Sequence, residues 1–157
     1  MSTQYRQTTV VTTTTTSPGG VITINRSFVS SVSGILTFLE VVFALIIFIL
    51  TVQTRDRPYA YAYNLPLYFV NLTSFCFLVV LSLIILAAFL SITGTILPTT
   101  FFFMILHWAG FGMYLMGGVG MLIKDYNEAV LVAGAAMCLV AAACHVMHVM
   151  LAQRGRV

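Results

Sequence analysis

The stretch GILTFLEVVFALIIFIL, Gly34 to Leu50, decides the fold. It is an almost unbroken apolar run with a single carboxylic acid, Glu40, near its middle. Extended in both directions it covers about Phe28 to Val52. That is long enough, at 1.5 Å per helical residue, to cross a hydrocarbon layer of about 30 Å. Whether the segment lives in lipid is a question for the rest of the chain.

Hydrophobic residues make up 60% of the 157 residues, charged residues 7%, and the mean hydropathy is +1.02. An ordinary soluble domain holds roughly 45–50% apolar and about 25% charged residues. A chain this short has too little interior to hide so much apolar surface, whereas acyl chains accept it without penalty, so the composition is that of an integral membrane protein. Three further runs fit the same length rule, at about Leu65 to Leu90, Thr99 to Ile123 and Ala129 to Ala152. Backbone groups left unpaired in lipid are intolerable, and the alternating pattern of a membrane barrel is absent, so each run is predicted to be a helix. The expected architecture is all-α, a four-helix membrane bundle over residues 28–153. A disordered Thr-rich tail (1–27, ending in a Pro-Gly-Gly breaker) is expected before it and a short basic tail (154–157) after it. The first run starts too late for an ordinary signal peptide and is expected to stay in the protein.

Four spans put both termini on one side. Arg26, Arg154 and Arg156 flank the membrane there, and Arg55, Arg57 and Lys124 flank it on the other, so the basic count does not choose an orientation. Asn25 opens a glycosylation acceptor sequence, which is silent if the tail is cytosolic. Cys76, Cys138 and Cys144 all fall inside spans, which excludes a loop disulfide, and the lack of Cys-x-x-Cys argues against a membrane thiol oxidoreductase. They read as small packing residues, with Cys144, nearest a helix end, as the one candidate for acylation.

Helices in lipid associate through close packing at small residues and through hydrogen bonds. Ser33, Thr37, Glu40 and Ala44 recur at helical spacing and mark the inward stripe of the first span. Gly110, Gly117 and Gly120 cut a groove into the third, and Gly134, Cys138, Ala141, Ala142 and His145 line the fourth, so these two are expected to dock closely. Counted from Phe28, Glu40 lies about 18 Å along its helix, near the bilayer midplane. An ionised acid there costs at least roughly 2.5–3.5 kcal/mol, so Glu40 is expected to be buried in the bundle or neutral. His107 falls about a turn short of that level and Tyr114 about a turn beyond it. A hydrogen bond from Glu40 to His107 or Tyr114 is therefore expected as an internal latch; the alternative is a protonated acid bonded to a Ser, a Thr or a backbone carbonyl. His145 is expected to make a packing hydrogen bond and His148 to sit at the interface. His107 and His145, at similar depth on different helices, also raise the possibility of a haem held from both faces, against which stand the tight glycine and alanine seams.

The loops carry no chemistry. Tyr59, Tyr61 and Tyr63 suit an aromatic belt, Pro66 suits a helix start, and Asp125 or Asn127 is placed to cap the fourth helix, with Glu128 in its first turn. No nucleophile with its base, phosphate loop or acid pair is present, so no catalysis, cofactor or metal site is expected, and no nucleic-acid partner.

Four features together resemble the MARVEL-domain family, of the myelin-and-lymphocyte (MAL) and plasmolipin kind. These are the acid-bearing ILTFLEVVFALIIFIL, the second span FVNLTSFCFLVVLSLIIL, the turn DYNEA, and HVMHVMLAQRGR at the close of the fourth span. The resemblance runs from about residue 30 to the end. It implies cytosolic termini and a proteolipid of the plasma membrane or trafficking vesicles. Such a protein organises membrane domains in vesicle trafficking, membrane apposition, junctions or cell fusion. Its partners would be membrane lipids, including cholesterol-rich domains, other membrane proteins or further copies of itself. No family site motif transfers to this chain. The competing class is a small channel, transporter or haem-binding redox carrier working through the bundle interior. Such a pore would need polar residues along several helices, and here they cluster in one narrow seam.

Overall fold

The apolar runs form helices where lipid-crossing length demands them, and capping residues set their ends. The computed structural model describes residues 26–53, 64–90, 100–124 and 127–154. In it α1 (Arg26–Ser30) leads into α2 (Val32–Gln53), followed by α3 (Leu65–Phe89), α4 (Phe101–Lys124) and α5 (Ala129–Gln153). The described residues contain no strand. At 22 to 25 residues, the long helices α2 to α5 extend about 33–38 Å, enough to cross a bilayer, and all four are apolar enough to do so. The chain is a multi-pass membrane protein with an all-α bundle. Residues 1–25, 54–63, 91–99, 125–126 and 155–157 lie outside the described residues, and with them the Thr-rich tail, Asn25, Arg55, Arg57, Tyr59, Tyr61, Tyr63, Asp125 and Arg156.

The expected first span is broken at Ser31. Its hydroxyl donates to the Phe28 carbonyl at 2.7 Å and accepts from the Gly34 amide at 3.0 Å, a local alternative to helical pairing that turns the chain between α1 and α2. A Cβ on Gly34 would overlap the Phe28 carbonyl oxygen, so the turn admits only glycine. At the start of α3, Asn64 is the cap: its side chain accepts from the Leu67 amide at 3.1 Å, and Pro66 sits in the first turn where no amide is needed. The expectation for α5 is corrected. Glu128 holds the N-cap position rather than the first turn, with extended backbone and no side-chain cap bond.

Neighbours in the bundle are α2 with α3, α3 with α4, α4 with α5, and α5 with α2, so the four helices stand in a square with α2 and α4 on one diagonal. Sequential neighbours run antiparallel. Asn71 near the start of α3 donates to Thr51 near the end of α2 at 3.0 Å, and Ser33 at the start of α2 meets His148 near the end of α5.

Of the glycines expected to form the α4–α5 seam, Gly110 does face α5, against His145, and Gly134 lies near Met121. Gly117 and Gly120 turn instead toward α3, where their missing side chains admit Val70, Phe69 and Pro66. The close approach to α5 is made by Gly118, where a Cβ would stand 2.9 Å from Cys138 Cβ and 3.1 Å from the Ala135 carbonyl. Adjacent glycines thus serve two neighbours, because consecutive helical residues point about 100° apart.

Large apolar side chains cover the outer faces, among them Phe38, Leu72, Leu83, Phe102, Ile105 and Met116. That surface would aggregate in water and is at no disadvantage against acyl chains. Cys76 lies exposed on this outer face rather than packing inside, whereas Cys138 and Cys144 are buried. Burial also removes the Cys144 thiol from the position an acylated cysteine would need.

Candidate functional site

Glu40 is buried in α2, and three imidazoles converge on one of its oxygens. Oε1 lies 3.3 Å from His107 Nδ1, 3.3 Å from His145 Nδ1 and 3.2 Å from His148 Nδ1. The two imidazoles from α4 and α5 also meet each other, His107 Nδ1 to His145 Nδ1 at 2.9 Å, close enough for one to donate to the other. On the far side of His148, Nε2 is 2.8 Å from the Ser33 hydroxyl. One tautomer satisfies that ring completely: Nδ1–H donates to Glu40, and Nε2 accepts from Ser33. All five residues are at most 1% exposed.

Helical spacing places these groups. Ser33 and Glu40 are two turns apart on one stripe of α2, and His145 and His148 are one turn apart on α5. The antiparallel run of α5 brings the later histidine toward Ser33 and the earlier one deeper. His107 reaches across the square from α4 to Glu40, linking the diagonal pair. Gly110, one turn further along α4, makes room: a Cβ there would stand 2.8 Å from His145 Nε2.

Aromatic rings wall the cluster. Phe103 lies edge-on to His107 (centroids 4.3 Å apart) and to His148 (5.0 Å), on the side of the chain termini. On the other side Phe77 meets His145 edge-on at 5.2 Å, and Tyr114 stacks on it at 5.6 Å. Four buried side-chain atoms have no hydrogen-bond partner among the described residues: Glu40 Oε2, His107 Nε2, Thr73 Oγ1 and Tyr114 OH.

Several expectations from sequence are corrected by this geometry. His148 is fully buried and bonded on both ring nitrogens, not interfacial. Tyr114 contributes its ring face to His145, and its hydroxyl makes no bond to Glu40. Because the helix restarts at Val32, Glu40 lies about 12 Å from that end of α2 and about 4 Å short of its midpoint, and His107 and His148 lie nearer still to the termini side of their own helices. Of the expected seam, Ser33, Thr37 and Ala44 are buried with Glu40, and Cys138, Ala142 and His145 line the buried face of α5. Thr37 donates to its own helix, at the Ser33 carbonyl, 2.8 Å. The contact between His107 and His145 leaves no slot for a macrocycle between them.

Of the polar groups elsewhere in the bundle, Thr51 and Ser74 turn back on their own backbone, while Asn71 donates to Thr51 across two helices. Thr51 donates to the Ile47 carbonyl at 2.9 Å and Ser74 to the Val70 carbonyl at 2.7 Å. Below the cluster the interior is filled by Ala44, Ile47, Val70, Met121, Ala135 and Cys138, all buried. Comparison with protein-family models, curated proteins and solved structures gives no match.

Proposed function

We propose that this protein is a non-enzymatic membrane organiser, acting through the outer faces of its helices on lipids and on other membrane spans. The observation that carries the reading is the filled interior. A conducting or transporting bundle needs polar groups at successive depths. Here Glu40 and its three histidines sit at one level, between aromatic rings, above a plug of Ala44, Ile47, Val70, Met121, Ala135 and Cys138. The outer surface supplies the working face. Two apolar grooves open sideways on it, one of about 290 Å³ where Phe28, Gly34, Phe38 and Ile85 meet, the other of about 260 Å³ beside Pro66, Phe69, Met116 and Gly117. Both are lined almost wholly by carbon, as an acyl chain or a sterol ring system requires.

In this reading the protein is of the MARVEL-like proteolipid type, with cytosolic termini, at the plasma membrane or on vesicles. It works in trafficking, apposition, junctions or fusion. Purified protein reconstituted in vesicles tests it. No ion or dye flux above that of empty vesicles is expected, with preferential recovery in the sterol-rich phase of phase-separated membranes. Selective flux would replace the organiser with a channel or transporter.

A further inference from the structure

We propose that Glu40, His107 and His145 form a binding site for a divalent transition-metal ion of the zinc class inside the membrane, with His148 and Ser33 holding the carboxylate in place. Three ligand-capable atoms, Glu40 Oε1, His107 Nδ1 and His145 Nδ1, form a triangle with sides of 3.3, 3.3 and 2.9 Å. A hydrogen-bond network separates its members into donors and acceptors in pairs. Three atoms mutually this close leave one of the three contacts without a hydrogen in the right place.

A cation answers the same geometry with all three lone pairs directed at one point. Zinc binds imidazole nitrogen and carboxylate oxygen at about 2.0–2.1 Å, so neighbouring ligands of a tetrahedral site stand roughly 3.3 Å apart. Two edges of the triangle match that spacing and the third is shorter by about 0.4 Å. A point about 2.05 Å from all three atoms exists roughly 0.9 Å out of their plane, where an ion capping three ligands would sit.

Two further features point to the same occupant. Glu40 Oε2 is buried without a hydrogen-bond partner among the described residues, so the carboxylate charge is left for a cation to meet. His148 and Ser33 form the outer support that such a carboxylate needs: the imidazole donates to Oε1 at 3.2 Å and is itself fixed by the hydroxyl at 2.8 Å. The donor set, two imidazoles and one carboxylate, is that of zinc and its neighbours in the first transition row rather than of calcium or magnesium, which take oxygen. A divalent ion would also neutralise the carboxylate charge where lipid penalises it, and would tie α2, α4 and α5 at one point. The claim is independent of the organiser reading, since a metal-free cluster would leave the interior just as closed to flux.

The test uses the full chain, purified in detergent after tag removal and without chelators. Elemental analysis is expected to find about one zinc per chain. Stripping with a chelator is expected to lower the melting temperature, zinc to restore it, and magnesium to leave it lowered. Cobalt added to stripped protein is expected to give the visible absorption of a four-coordinate ion. His148→Gln should retain the site with affinity reduced about 10- to 100-fold, as loss of an outer partner does, whereas His107→Gln with His145→Gln should abolish it. Stripped wild-type protein that takes up neither zinc nor cobalt and melts at an unchanged temperature would overturn the proposal, whatever the variants do.

Discussion

His145 lies directly over the bare Cα of Gly110, so closely that a Cβ at residue 110 would stand 2.8 to 2.9 Å from three atoms of the imidazole. The ring that this glycine admits also contacts Glu40, His107, Phe77 and Tyr114, so the position of the whole cluster depends on one absent side chain. Gly110→Ala is therefore expected to destabilise the folded protein by about 1–3 kcal/mol, the range for overpacking a tight interior. Gly112, two residues on, has nothing within 4 Å of its would-be Cβ, and Gly112→Ala should be neutral or slightly stabilising. Denaturation in mixed micelles compares the two; equal effects would remove His145 from its place above Gly110.

Gly117→Leu separates a second seam. Its Cβ alone would lie 2.5 Å from Val70 Cγ2 and 3.3 Å from Phe69, so a full leucine must push α3 away from α4. The variant should be less stable than wild type by roughly 1–3 kcal/mol or fail to fold. A cysteine pair placed across α4 and α5 should still cross-link in any folded fraction, while one across α3 and α4 should not. Retained cross-linking at both seams would contradict the assignment of Gly117 to α3.

At Glu40 the two substitutions ask different questions. In metal-free protein glutamine keeps an acceptor oxygen for the imidazoles and is expected to cost about 1 kcal/mol, the scale of a single altered hydrogen bond. Leucine removes every acceptor at this position and leaves the His148 Nδ1–H unpaired, for which about 1–3 kcal/mol per orphaned donor is expected on top of the lost packing. Thermal or detergent denaturation of both variants measures the difference. A Leu variant as stable as Gln would mean that the carboxylate does not organise the rings.

The turn between α1 and α2 gives a fourth test. Gly34→Ala should break the Ser31 turn, because the added methyl overlaps the Phe28 carbonyl. The expected signature is local: faster amide exchange at residues 28–35, with the exchange of α3 to α5 unchanged. Unchanged exchange at the turn would show that the methyl is accommodated.

The spans were legible in the sequence because bilayer thickness fixes helix length. The starts and ends expected at 65–90, 99–123 and 129–152 fall within about two residues of α3, α4 and α5. The Ser31 break was not, since a serine and a glycine in an apolar run also serve as packing residues. The break shortens the helix ahead of Glu40 and moves its level only about 4 Å toward the termini. A signal for the full cluster was present. Measured from the helix ends on the side of the termini, Glu40, His107, His145 and His148 all lie five to eight residues in. Depth counted from a shared face would have gathered all four, where sequence spacing alone set His148 apart. The division of Gly117 and Gly118 between two neighbours was beyond reach, because it depends on how the helices rotate when they dock.

The most direct test of the central claim, that a buried carboxylate on α2 and an imidazole on α4 meet across the bundle, is a double-mutant cycle on Glu40→Leu and His107→Leu. Equilibrium unfolding in mixed micelles should show the double variant destabilised by at least about 1 kcal/mol less than the sum of the singles, within the 0.5–3 kcal/mol range of residues in contact. Additive losses would mean that the two side chains do not meet.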